Sequence, residues 1–290
     1  MSELKGDLQT YEKGGIKIIQ EYFSSIYHML ACLDSRENNQ AMQGQYSSID
    51  TKDSKWIGTS SYDEAVKLLT CGYTDILGRL SFGIKKAMKS LQDYDFSKST
   101  IVEDVQGTAP IVSNYLKGLP KTMSYRQSIS KKVKTISIIY APTANCNIEA
   151  EEFIEAGIAL LSALRAIEKS SVAIKLDCMF TNSYEGNEAV IGSVRIKNYR
   201  DRPDLQKLCF PIAHPSMLRR FGFKFLETVP DLTNRGFAVG YGRSPDIKEL
   251  TNYLKIQDNA VLLNFYLVHN ELSCDPKKVI EYINEKVKNK

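Results

Sequence analysis

Two short polar stretches of this chain combine residue types that can carry chemistry. His214 and Ser216 stand two positions apart beside a helix start, and an imidazole with a hydroxyl makes up a nucleophile–base pair. A second stretch supplies four side chains that can bind metals: His269, Glu271, Cys274 and Asp275. No Gly-x-Ser-x-Gly elbow surrounds the serine, and the second spacing matches no compact zinc pattern. The sequence therefore favours helix capping by His214 or Ser216 and a polar connection at 269–275, and keeps an enzyme using either stretch as an alternative.

Basic residues form two groups that could bind phosphate. The first consists of Arg195, Lys197, Arg200 and Arg202, with Tyr199 among them, and the second of Arg219, Arg220 and Lys224. Arginines next to aromatic rings contact the backbone and bases of nucleic acids. Asp201 and Asp204 reduce the positive field of the first group. A solvated or salt-bridged surface is favoured, and a nucleic-acid-binding accessory protein using the first group is the alternative.

The composition is that of an ordinary globular chain. Its 290 residues are 43% hydrophobic, and its net charge of +4 is small for a chain built around nucleic-acid binding. No apolar run approaches the roughly 20 residues of a membrane span, and the N-terminus lacks the layout of a secretory signal. No two of the six cysteines lie within four residues of each other, which gives no zinc or redox pair. We expect reduced thiols, no cofactor, no membrane association and a cytoplasmic setting.

Residues 1–130 are predicted to form N-terminal helices and an irregular arm. Apolar residues at helical spacing predict an amphipathic helix from Ile16 to Leu30, and a polar linker follows from Asp34 to Asp50. Ser60 or Ser61 caps a further helix that ends at Cys71-Gly72, and a helical pattern continues over 76–91. Pro110, Pro120 and several glycines predict an irregular connecting arm over 93–130.

Residues 131–290 alternate strand and helix patterns. The predicted elements are a strand at 133–140, a helix capped by Asn147 that uses Gly157 to pack on a sheet, a 172–199 hairpin, a helix from Pro215 to Leu226, a short strand at 237–241, a helix from Pro245 to Leu254, a strand at 260–267 and a helix from Pro276. This order predicts an α/β fold, a three-layer sandwich with a mostly parallel sheet. The 172–199 hairpin is expected to supply an antiparallel edge.

The order of strand, polar turn, long helix and hairpin resembles the opening of a von Willebrand factor A-type domain. The second half of the chain is most similar in character to the A-type domain of cobaltochelatase subunits. The segments 208–223 (LCFPIAHPSMLRRFGF) and 58–73 resemble a family of uncharacterised proteins encoded mainly by tailed bacteriophages. The resemblance implies a protein-interaction domain, and it implies a ring-shaped AAA+ ATPase or a phage structural protein as the partner.

The turn after the first strand departs from the A-type pattern. A-type domains hold a divalent metal with Asp-x-Ser-x-Ser, and the matching positions here are Ala141, Thr143 and Asn145. A hard cation wants anionic oxygen ligands, and the Asp that anchors it is absent. The resemblance therefore implies a scaffold without its metal.

Together these patterns predict a non-enzymatic protein-interaction or assembly protein, phage-encoded and located in the infected cell or in the virion. The candidate binding surface comprises Thr143, Asn145, His214, Ser216, Arg219 and Arg220, which are expected to converge at the strand ends. Oligomerisation is compatible with this interpretation, and the sequence does not separate virion from non-virion roles.

Overall fold

The computed structural model describes residues 6–37, 47–91, 99–128, 134–170, 172–184, 188–230, 244–254 and 260–288. The strands are β1 (Asp7–Lys13), β2 (Ile16–Phe23), β3 (Ser99–Asp104), β4 (Ala109–Pro110), β5 (Met123–Ser128), β6 (Lys134–Ala141), β7 (Val172–Tyr184), β8 (Glu188–Lys197) and β9 (Ala260–Asn264). The α-helices are α1 (Ile26–Asp34), α2 (Ser54–Ile57), α3 (Tyr62–Cys71), α4 (Leu77–Ser90), α5 (Val112–Leu116), α6 (Ala150–Lys169), α7 (Leu205–Ala213), α8 (Phe223–Thr228), α9 (Ile247–Tyr253) and α10 (Pro276–Lys288). Two π-helical segments span Met217–Gly222 and Leu267–Glu271.

Six strands form the main sheet, in the order β1-β2-β8-β7-β6-β9. The pairs β2–β8, β7–β6 and β6–β9 are parallel, whereas β1–β2 and β7–β8 are antiparallel. The predicted α/β class with a mostly parallel sheet and an antiparallel edge is confirmed. The edge itself was assigned to the wrong strands, because the β7–β8 hairpin lies inside the sheet and β1–β2 forms the antiparallel edge.

The predicted helix from Ile16 to Leu30 is wrong over its first half, which is strand β2. Ile18 and Ile19 are both fully buried, but they belong to core clusters on opposite faces of the sheet. A strand that is buried on both faces loses its period-two pattern, and its apolar residues here fall by coincidence at helical spacing. Gly14 and Gly15 both have positive φ, at 62° and 75°, which is the requirement of a two-residue type I′ hairpin turn.

Helices pack on both faces of the main sheet. The larger core cluster joins one face to buried residues of most helices, including Leu80 of α4, Leu160 of α6 and Ile280 of α10. On the other face, Leu250 and Tyr253 of α9 pack against the sheet. The close approach predicted for Gly157 exists, but its neighbour is α7: a Cβ there would lie 2.3 Å from Cα of Ala213.

Most predicted helices are present, with some changed ends. Ser61 caps α3, as predicted, by accepting from Glu64 N at 3.1 Å. The cap of α6 is Glu149 instead of Asn147, in a reciprocal box with Glu152. Helix α7 is absent from the predicted elements, and it contains Pro211 in its interior. The helix predicted from Pro215 is a π-helical segment that continues into α8, and the strand predicted to reach residue 267 ends at Asn264.

The predicted irregular arm is a small folded unit. Strands β3, β5 and β4 form a separate antiparallel sheet in that order, and α5 lies between β4 and β5 in the chain. We call residues 99–128 the arm. The predicted division at residue 130 does not separate two cores, because β2 and β8 pair in one sheet and residues such as Ile19 and Leu80 share a cluster with Ile136. The predicted strand 237–241 and residues 38–46 of the predicted linker lie outside the described residues.

Candidate functional site

The turn after β6 lies at the carboxyl end of the sheet, where α/β proteins place their ligands. Thr143 is buried, and its hydroxyl has no hydrogen-bond partner among the described residues, while its carbonyl accepts from the Ser244 hydroxyl at 3.2 Å. Asn145 is exposed, and its backbone N–H donates to the Tyr266 hydroxyl at 2.8 Å. Because Ala141 offers no side-chain ligand and neither other position is anionic, this donor set does not fit the divalent cation of A-type domains.

His214 and Ser216 are both buried and do not form a nucleophile–base pair. His214 Nδ1 accepts from the backbone N–H of Ser216 at 3.2 Å, and the Ser216 hydroxyl donates to Ile57 O at 2.7 Å. The imidazole stacks on Phe210 at 4.6 Å between centroids and meets the edge of Tyr73 at 4.8 Å. Burial lowers the pKa of His214 to about 4, so the ring is neutral at pH 7. Of the two predicted caps, the Ser216 side chain makes no capping hydrogen bond, whereas His214 Nδ1 accepts the backbone N–H of Ser216 where the helical segment begins.

Arg219 is an interior residue, not part of a surface. Its guanidinium donates to Trp56 O and Ile148 O. It also lies over two aromatic faces, with Cζ 3.8 Å from the Trp56 ring centroid and 4.8 Å from that of Phe153. Burial lowers the pKa of Arg219 to about 10, and the group stays charged at neutral pH. Arg219 therefore ties α2 and the start of α6 to the π-helical segment Met217–Gly222.

Arg220 joins the same π-helical segment to residues 48–59. Its guanidinium donates to Ser48 O at 2.8 Å, Asp50 O at 2.6 Å and Thr59 O at 2.9 Å. Within the described part of the chain, neither Arg219 nor Arg220 has a carboxylate within ion-pair distance. Backbone carbonyls replace carboxylates as partners of these two buried cations, and their role is structural.

The six predicted surface residues do not converge on one exposed site. Only Asn145 is exposed, while Thr143, Ser216, His214 and both arginines are buried. The connection between the turn and the interior runs through Trp56, whose indole N–H donates to Cys146 O at 2.8 Å. Five of the six predicted residues therefore belong to the interior, and only the Asn145 side chain is exposed.

The first basic group is divided between ion pairs and solvent. Arg195 binds Asp177 and donates to Asn198 Oδ1 at 2.7 Å. Lys197 is buried and pairs with Glu168 at 2.9 Å. Arg200 and Arg202 are exposed. Two of the four predicted phosphate-binding cations are thus neutralised by carboxylates.

The 269–275 stretch contains a histidine near a carboxylate. His269 Nε2 lies 3.5 Å from Glu152 Oε1, and the ring stacks on Phe265 at 5.2 Å. Asp275 pairs with Lys86 at 3.4 Å and accepts from the backbone N–H of Lys277 at 3.2 Å, near the start of α10. Across the described ranges, no three His, Cys, Asp or Glu residues gather where they could hold a metal ion.

The arm exposes a concentration of large apolar side chains that sequence reasoning missed. The exposed fractions are 61% for Val105, 62% for Val112, 73% for Tyr115, 77% for Leu116 and 46% for Leu119. None of the residues of α5 is buried. These five residues are half of the exposed large apolar residues found in the described chain, within 15 positions of sequence. The available signal in the sequence is the run Ile111-Val112-Ser113-Asn114-Tyr115-Leu116, but Pro110, Gly118 and Pro120 flank it and favour an irregular segment.

The protein is of the α/β class, with a mixed main sheet and two buried arginines in its interior. Half of the large apolar residues that it exposes in the described part of the chain lie in the arm. Residues 7–286 match the family described as Domain of unknown function (DUF7192), and the chain belongs to that family. No curated protein and no solved structure matches the chain. Within the described residues, no helix combines the length and the apolar character that crossing a membrane requires.

Proposed function

We propose that this chain is a non-enzymatic protein-interaction or assembly protein, and that its arm makes the contact. The observation that carries the proposal is the exposed apolar set on the arm: Val105, Val112, Tyr115, Leu116 and Leu119. Exposed apolar surface marks protein contact sites, and these five side chains all come from a 15-residue stretch of one small folded unit. The rest of the protein acts as the rigid support for the arm.

The buried polar side chains support a structural role for the interior, which holds the arm's scaffold together, more than a catalytic role. The groups that resemble catalytic residues are engaged in packing: His214 stacks on Phe210 and accepts a backbone N–H, and the Ser216 hydroxyl donates to a carbonyl. A general base must reach the proton that it abstracts, and the His214 nitrogen that is hydrogen-bonded faces a backbone amide. An enzyme of unfamiliar class stays the third candidate.

The identity of the partner is proposed from resemblance. Strand β6, helix α6 and the β7–β8 hairpin follow one another as in an A-type domain, and such domains act as adaptors of AAA+ ATPases. The resemblance of the segments 58–73 and 208–223 to phage-encoded proteins supports a virion structural protein as a second partner class and a location in an infected cell or a particle.

Nucleic-acid binding through Arg195, Lys197, Arg200 and Arg202 is the second candidate. Only Arg200 and Arg202 expose their charges, and the other two are paired with Asp177 and Glu168. Two phosphate contacts give a shallow salt dependence, with a slope of roughly −2 in a plot of log affinity against log salt concentration. A slope near this value that Arg200→Ala and Arg202→Ala together abolish would favour this candidate.

The test of the proposal is a comparative affinity purification from native cells after nuclease treatment, followed by mass spectrometry. The tagged protein is compared with the double variant Tyr115→Ser, Leu116→Ser. Tyr27→Ser is the matched control, because Tyr27 is 62% exposed on α1, outside the arm. We expect a stoichiometric protein that the arm variant loses and the control keeps. Equal recovery of every copurifying protein by all three would overturn the proposal.

A further inference from the structure

We propose that the arm is an interface between two copies of this chain, centred on α5. This inference rests on the proposed function, because it names the partner that covers the arm. The three observations that point to a second copy are the size of the apolar surface, the charge balance of the arm and the position of β3 at one end of the arm's strand order.

The apolar surface of the arm has the size that a dimer interface needs. At about 200 Å² for a side chain of this size, the exposed fractions of the five apolar residues correspond to roughly 600 Å². The largest apolar patches on ordinary monomers measure about 300–600 Å², and a standard interface buries about 800 Å² on each partner. The apolar set, with its polar surroundings, therefore supplies most of one side of an interface.

The charge balance of the arm favours contact with itself. Residues 99–128 contain two carboxylates, Glu103 and Asp104, and three cations, Lys117, Lys121 and Arg126, for a net charge of +1. A nearly neutral surface with both signs meets little repulsion from its own copy. Depletion of charge around the apolar centre and a polar rim is the usual composition of an interface.

Strand β3 is an edge of the arm's sheet and continues the surface of α5. Asn114 Nδ2 donates to Glu103 Oε2 at 3.2 Å and to Lys121 O at 2.9 Å, which holds α5 against the end of β3. In an antiparallel pairing of β3 with its copy about the Ile101–Val102 midpoint, Glu103 faces Thr100 and Asp104 faces Ser99. Like charges never oppose one another in this two-fold register.

Sedimentation velocity of the full chain over roughly 0.1 to 100 μM tests the inference. We expect a concentration-dependent shift from 32.7 kDa to twice that mass. Tyr115→Ser with Leu116→Ser should stay monomeric, and Tyr27→Ser should dimerise like the unsubstituted chain. A monomer at every concentration would overturn the inference, as would an arm variant that dimerises with unchanged affinity.

A cysteine cross-link locates the interface directly. Ser113 of α5 and Lys85 of α4 are both exposed, and the exposed native thiols are Cys71 and Cys146. In a Cys71→Ser, Cys146→Ser background, a flexible bismaleimide should join two chains through Ser113→Cys and not through Lys85→Cys. Dimers joined equally well at both positions, or only at Lys85→Cys, would place the contact elsewhere.

The two experiments distinguish failure of the dimer inference from failure of the proposed function. If the chain is monomeric while the arm variant loses a copurifying protein, the inference of a second copy fails and the proposed function stands. If the arm variant neither changes the oligomeric state nor loses a partner, both fail.

Discussion

Arg219→Met is the perturbation that the interior of this protein makes most informative. Methionine keeps an unbranched stem but removes the guanidinium that donates to Trp56 O and Ile148 O. Each buried carbonyl that is left without a donor costs about 1–3 kcal/mol. The lost contact with the Trp56 ring, at 3.8 Å, adds about 1–2 kcal/mol.

One term opposes this loss. Replacing a buried cation with an apolar side chain removes a desolvation penalty, which offsets part of the cost. We therefore expect Arg219→Met to lower the free energy of unfolding by about 3 kcal/mol, a large part of the roughly 5–15 kcal/mol that a domain has. The free energy of unfolding of Arg219→Lys should lie between those of the unsubstituted protein and Arg219→Met, because an ammonium keeps the charge but lacks the planar guanidinium and its stacking on the ring.

Urea unfolding measures the difference, followed by far-UV circular dichroism and by the fluorescence of Trp56, the only tryptophan. Arg202→Met is the matched control, because Arg202 is exposed, and its change should stay within about 0.5 kcal/mol. If Arg219→Met and Arg202→Met unfold at the same urea concentration with equal slopes, the assignment of Arg219 as an interior anchor is wrong.

Three further predictions concern pH, packing and the arm. The pKa of His214 is about 4 in the folded protein and 6.5 ordinarily, so the unfolded chain takes up the proton first and the free energy of unfolding falls by about 3 kcal/mol as pH drops from 6.5 to 4. In urea titrations across this pH range, the free energy of unfolding of His214→Asn should depend less on pH than that of the unsubstituted protein. An equal pH dependence in the two proteins would contradict the burial of His214. Gly157→Ala should lower the thermal midpoint by the equivalent of about 1–3 kcal/mol, because the new methyl would lie 2.3 Å from Ala213 Cα; a raised midpoint would mean that helix propensity outweighs the clash. At a protein concentration where the unsubstituted chain sediments as a monomer, Tyr115→Ser with Leu116→Ser should change the free energy of unfolding by less than about 0.5 kcal/mol, and a large drop would show that the arm side chains serve folding instead of binding.

The sequence predicts the elements whose signals are local. Helix α3 was found because Ser61 and a clear apolar face mark it, and α10 because Pro276 marks its start. Strand β2 was missed because burial on both faces removed its alternation, although Gly14-Gly15 was a usable hairpin signal. Pro110, Pro120 and several glycines predict an irregular arm, and they lie among the short strands β3, β4 and β5 that the structure shows there.

The candidate site was harder to predict than the fold. Arginine is seldom buried without a carboxylate, so Arg219 and Arg220 were assigned to a surface. Their partners are backbone carbonyls of residues 48–59 and 148, far away in the chain, and no local pattern announces them. In the sequence, an exposed apolar cluster and a small buried core give the same local pattern. Only the folded structure shows whether such residues are exposed or buried.

The central claim is that the arm is the contact surface of an interaction protein. The most direct measurement places a photo-cross-linking amino acid at Leu116 or, as a control, at Tyr27, in native cells. We expect a protein adduct, with a partner or a second copy of the chain, from position 116 and none from position 27. Adducts with nucleic acid alone, or no adduct from position 116 when position 27 does cross-link, would contradict it.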